Sequence, residues 1–100
     1  MKKIILSILM VSFLHVFANE DKGTTYRVLD KNDSYITGAK VTVKGEKEIV
    51  LYSDLDGQFT VPKEIGEQYV LKVEMVSFKD MVKEIDMSTP HSKSIELVSN

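Results

Sequence analysis

The chain of 100 residues contains no cysteine. A lipoprotein carries its acyl chains on a cysteine at the cleavage site, so that membrane tether is excluded. So are the disulfides that staple many small exported domains. Any domain here must be held by its core alone.

Histidine is almost as scarce, with two in the chain. His15 lies in an N-terminal apolar segment. His91 sits in the polar loop Ser88-Thr89-Pro90-His91-Ser92, without a second histidine or a cysteine nearby. Metal centres need three or four convergent ligands, and a Ser-His-Asp site needs a histidine paired to its nucleophile. We therefore expect His91 to be a solvent-exposed loop residue. No catalytic, cofactor-binding or metal-binding residue is assigned, no cofactor is implied, and no enzyme is expected. Phosphate-binding and dinucleotide-binding glycine motifs are missing as well.

The apolar run is too short for a membrane span. Met1-Lys2-Lys3 precedes Ile4 to Ala18, only 15 residues, and Asn19-Glu20-Asp21-Lys22 follows. A spanning helix needs about 20 apolar residues. A basic start, a short apolar stretch and a small residue at its end describe a signal peptide. Residues 1–18 are read as that signal, with Val16 and Ala18 at the −3 and −1 positions. Residues 19–23 are read as a flexible leader and residues 24–100 as the mature domain. The product is expected to be exported, periplasmic or secreted, with no stable membrane anchor after cleavage.

Without Lys2 and Lys3 the 13 basic residues fall to 11, against 15 acidic ones, net −4. No run of Lys or Arg is present to neutralise phosphates, so nucleic acid is not expected as a partner. The oligomeric state is left open.

What the mature part does contain is alternation. Apolar residues recur with period two, and turn residues break the pattern about every 8–12 residues. Strands are expected at about Thr24–Asp30, Gly38–Lys44, Glu48–Asp54, Gln58–Val61, Tyr69–Met75, Met81–Met87 and Lys93–Val98. Tyr26, Val28, Val41, Val43, Phe59, Val61, Tyr69, Leu71, Val73, Met75, Ile95 and Leu97 take the inward parity. Ile49-Val50-Leu51-Tyr52 is apolar on both faces, which predicts a central strand. The aromatics are expected in the core, except Tyr35, which falls in a loop and can add to a contact surface. Seven short strands and no helix predict an all-β fold, a seven-stranded antiparallel sandwich with Greek-key connections.

Two polar clusters resemble calcium loops and are read as turns. Asp30, Asn32 and Ser34 open like an EF-hand, but Tyr35 occupies the glycine position and Val41 the position of the final glutamate. Asp54-Leu55-Asp56-Gly57 is a tight turn, with Asp54 as its cap and Gly57 free to adopt positive φ.

The run Gly38-Ala39-Lys40-Val41-Thr42-Val43-Lys44-Gly45 resembles the "GA-x-V-x-V-x-G" strand of carboxypeptidase regulatory-like domains. Ser53-Asp54-Leu55-Asp56-Gly57-Gln58-Phe59 is similar to that family's "T-D-x-x-G-x-F" turn. Val70 to Lys79 resembles its late strand, which usually closes on "V-G-Y" or "V-G-F", here Val76-Ser77-Phe78. Order and spacing agree from about Tyr26 to Val98. The structural motif residues carried over are Gly38, Ala39, Val41, Asp54, Asp56, Gly57, Phe59 and Phe78. Two positions depart from the pattern: Ser77 and Tyr26 stand where the family usually has glycine.

The resemblance implies a transthyretin-like sandwich. Such modules accompany metallocarboxypeptidases or open TonB-dependent receptors, and some are small exported proteins. This chain is expected to be a stand-alone module binding an envelope protein or a glycan. The alternatives are an accessory component of a receptor or peptidase system, and a metal-dependent enzyme or calcium-binding protein using Asp54, Asp56 and His91. The purine-intermediate hydrolases of the same fold use several histidines, which this chain lacks.

Overall fold

A computed structural model describes residues 23–100. The expected signal peptide, and the expected leader up to residue 22, lie outside the described residues. The described part is all-β: β1 (Gly23–Leu29), β2 (Lys40–Lys44), β3 (Glu48–Tyr52), β4 (Gln58–Pro62), β5 (Gln68–Glu74), β6 (Met81–Asp86) and β7 (Ser94–Glu96). They form a three-stranded sheet ordered β4-β1-β7 and a four-stranded sheet ordered β3-β2-β5-β6.

Alternation decides which side chains meet between the sheets. From one sheet come Tyr26, Val28, Phe59, Val61 and Ile95; from the other come Val41, Val43, Leu71, Val73 and Ile85. The Tyr26 and Phe59 rings stack with centroids 5.4 Å apart. These β-branched and aromatic side chains suit a pleated surface buried on one side. Two core residues lie outside the alternating runs. Ile36 is buried from the β1–β2 loop, and Ile65 from a single 3₁₀ turn, Lys63–Ile65. That turn modifies the helix-free expectation. The β2–β3 turn runs against it: a Cβ on Gly45 would stand 2.4 Å from the Ile65 carbonyl oxygen.

The four neighbouring pairs other than β1–β7 are antiparallel, but β7 runs parallel to β1, with Val28 opposite Ile95. The antiparallel expectation fails there because alternation reports faces and is silent on direction. β6 belongs to the four-stranded sheet, and the chain must cross to the other sheet before β7 starts. It arrives heading the same way as β1.

β3 is an edge strand, not a central one. Ile49 and Leu51 pack against the core, whereas Val50 and Tyr52 face outward and are exposed. Tyr52 is therefore not a core aromatic. The opposite edge, β6, carries Lys83 at inward parity opposite Leu71. Its half-buried stem can lie on apolar surface while the ammonium reaches water.

Candidate functional site

Strand direction gathers several loops at one end. β1 ends at Leu29 beside Glu96 of β7, and Arg27 pairs with Gln58 at the start of β4. In the other sheet Lys40 pairs with Tyr52 and Glu74, and Val73 with Met81. The segments 30–39, 53–57, 75–80 and 97–100 therefore share one end of the molecule.

Hydrogen bonds fix each of them. The Asp30 carboxylate accepts from the Asn32 and Ser34 amides at 2.8 and 3.0 Å. The Asp54 carboxylate accepts from the Asp56 and Gln58 amides, both at 2.9 Å. Both are turns in which a short side chain replaces a backbone acceptor. Gly57 adopts φ 72°, and a Cβ there would approach the Val28 carbonyl oxygen to 2.7 Å. Asp56 leaves its carbonyl to the Arg27 Nε–H at 3.1 Å. Gly38 takes φ 78° before Ala39 and Val41, both buried.

Ser53, which opens the turn motif, is buried. Its hydroxyl donates to the Ile36 carbonyl at 2.7 Å and accepts from the Ala39 amide at 2.9 Å. It ties the motif's turn to the loop before β2. The motif spacing located this residue but did not expose its task, since a hydroxyl reads as ordinary turn chemistry.

Ser77 takes φ 73°. The chain keeps the left-handed geometry that the family's glycine would supply, with a side chain in place. Phe78 is half-buried against the core and bridges to Ser99, and the Lys79 amide donates to the Val98 carbonyl at 2.8 Å.

Onto this frame the loops and the end of β3 place large apolar side chains in solvent. Tyr35 is 53% exposed, Tyr52 63%, Leu55 84%, Val76 84% and Val98 51%. The Arg27 guanidinium stacks over the Tyr35 ring, 4.5 Å from its centroid. That fixes an otherwise exposed aromatic by cation–π attraction.

The second polar feature is interior. The Tyr26 hydroxyl lies 2.5 Å from the Tyr69 hydroxyl and 3.0 Å from His91 Nε2. The His91 ring stacks on Tyr26 with centroids 5.9 Å apart, and Nδ1 is 3.2 Å from the Thr89 carbonyl. The expected solvent-exposed histidine is thus a packed one. The loop folds back over Tyr26, whose hydroxyl is the nearest polar group. Burial pushes the Tyr26 phenol well above its ordinary pKa, and the Tyr69 phenol pushes it the same way. Burial also raises Tyr69, partly offset by its bond with Tyr26. The family's glycine position in the first strand therefore carries a core aromatic that meets the other sheet through its hydroxyl.

Asp54, Asp56 and His91 are not brought together. The two aspartates lie in the β3–β4 turn, beside the end of β1. His91 packs on Tyr26, in a loop that leaves the molecule's opposite end. Among the described residues no group of three or more His, Cys, Asp or Glu side chains is placed to hold a metal.

Residues 25–100 match the family model for the CarboxypepD_reg-like domain. Comparison with curated proteins gave no match.

Proposed function

Since this chain belongs to the carboxypeptidase regulatory-like domain family, we propose that it is an exported, non-catalytic module that binds an envelope protein or a glycan. In this reading residues 1–18 direct export and are removed. The mature chain is a transthyretin-like, Greek-key sandwich that offers its loop end to the partner.

One observation carries the proposal: Tyr35, Tyr52, Leu55, Val76 and Val98 are exposed at the same end, on segments held by both sheets. Scattered exposed apolar residues need no explanation, but their concentration at one end, on hydrogen-bonded loops and the end of β3, favours recognition. Tyr and Arg, which meet here as Tyr35 and Arg27, are the residue types that dominate binding hot spots.

The test compares the wild-type chain with a Leu55→Ser/Val76→Ser variant, both immobilised and exposed to the envelope fraction and to a glycan array. Both substitutions lie at exposed positions, so the melting temperature should stay within the few degrees expected of surface changes. A partner held by wild type and lost by the variant supports the reading. Equal retention by both, or no ligand for either, refutes it. N-terminal sequencing of the exported product should begin at Asn19; a product that retains Met1 refutes the export step.

A further inference from the structure

A cavity of about 410 Å³ opens at the end of the sandwich opposite the exposed loops. Its wall combines the start of β1, the end of β4, the start of β5 and the residue that follows β6. Small-molecule sites span about 300–1,000 Å³. Val61, Pro62, Tyr69 and Met87 bring apolar surface to this wall, and Lys63 and Glu67 bring one charge of each sign. An occupant therefore gains from an apolar body and has no need of net charge.

The hydroxyls of the wall define what else it takes. The Tyr69 hydroxyl donates to the Met87 Sδ at 3.7 Å, and the Thr24 hydroxyl donates to the same sulfur at 3.9 Å. Each hydroxyl has one proton, and a thioether is a weak acceptor. Two O–H donors thus converge on one point of the cavity and end on sulfur. With its proton placed there, the Tyr69 oxygen accepts from Tyr26, and that inner bond does not depend on what replaces the sulfur. Met87 is built to yield. Its amide is pinned to the Glu67 carbonyl at 2.8 Å, but its side chain is unbranched and 37% exposed. A rotation about its side-chain bonds takes the sulfur away and leaves both protons facing the cavity.

We propose that this cavity binds a small neutral carbonyl compound, whose oxygen replaces the Met87 sulfur as acceptor of the Tyr69 and Thr24 protons. A carbonyl oxygen has two lone pairs, one for each hydroxyl. Two weak bonds to sulfur are exchanged for two to oxygen, and the apolar body of the ligand covers Val61 and Pro62. The site is remote from the loop end and independent of the partner proposed for it.

The experiment titrates the full chain, labelled with nitrogen-15, with acetophenone and with α-methylstyrene, its isostere carrying a methylene group in place of the carbonyl oxygen. Both probes should shift the amide signals of Thr24, Val61 and Met87 and saturate. In Tyr69→Phe the acetophenone affinity should fall about fivefold, the worth of one hydrogen bond, while the α-methylstyrene affinity stays unchanged. If that variant fails to fold, Thr24→Val, which removes the other hydroxyl at similar volume, takes its place with the same expectation. An unchanged acetophenone affinity in the folded variant overturns the proposal. So does an equal loss for both probes, which would mark a packing defect rather than a lost donor. Shifts confined to Leu55 and Val76, or no saturation by either probe, also overturn it.

Discussion

Ser77 holds a backbone geometry that its side chain disfavours. At φ 73° the Cβ crowds the following carbonyl, a cost of roughly 1–2 kcal/mol for an L-residue. Glycine avoids that crowding but loses more backbone freedom on folding, roughly 0.5–1 kcal/mol. The difference favours glycine. Ser77→Gly is therefore expected to stabilise the domain by about 0.5–1 kcal/mol, read as a higher urea midpoint with an unchanged slope. A lower midpoint would mean that the serine side chain contributes something its surroundings do not reveal. Asp54 and Gly57 need no such correction. Each occupies the position where its residue type is best suited, the aspartate as a two-amide acceptor and the glycine at φ 72°.

At the level of strands, what was legible in the sequence was the inward parity. Val41 and Val43, Phe59 and Val61, Tyr69, Leu71 and Val73, Ile95 and Leu97 are all buried. Period two reports which face a residue takes, and burial on one face enforces it. Parity cannot report which strands are neighbours, and so β3 read as central. Ile36 and Ile65 escaped because loops and single turns have no period. The contact-surface reading of Tyr35 could be made from its loop position, but its clamp by Arg27 could not, since it depends on how the β1–β2 loop folds back. The His91 packing was hidden for the same reason.

The two edges of the four-stranded sheet also differ in protection. β6 carries Lys83 on its inward parity, a recognised guard against edge pairing. β3 has only Glu48 as a charge and ends in Ile49-Val50-Leu51-Tyr52. Val50 points outward opposite Thr42 and supports no core contact. Val50→Lys should leave the melting temperature nearly unchanged, a surface effect within about 0.5 kcal/mol. It should reduce concentration-dependent aggregation, as measured by light scattering. Unchanged aggregation would exonerate the β3 edge.

The described domain is two small sheets without a covalent staple, so its stability rests on what joins them. Apolar contact supplies most of that, but the Tyr26–Tyr69 hydroxyl pair is a polar bond running from β1 in one sheet to β5 in the other. Its response to pH follows from the pKa directions. Burial, the leading cause for both phenols, raises their folded-state pKa values above the ordinary 10.0. A group with a raised folded pKa contributes its full stability below the unfolded value. Above pH 10 the unfolded chain releases phenolic protons that the folded chain retains, and stability falls. One such phenol removes about 1.4 kcal/mol per pH unit in that window. Domains of this size have little beyond about 5 kcal/mol to lose. Urea midpoints measured from pH 8 to pH 12 should therefore hold up to about pH 10 and then drop steeply, as the unfolded phenols ionise. A Tyr26→Phe/Tyr69→Phe chain removes both hydroxyls together, a pairwise deletion that costs far less than orphaning one partner. Its midpoint should decline less steeply above pH 10, isolating the two phenols from lysine titration. If both chains lose stability with the same slope, the hydroxyl pair is not what ties alkaline unfolding to the junction between the sheets.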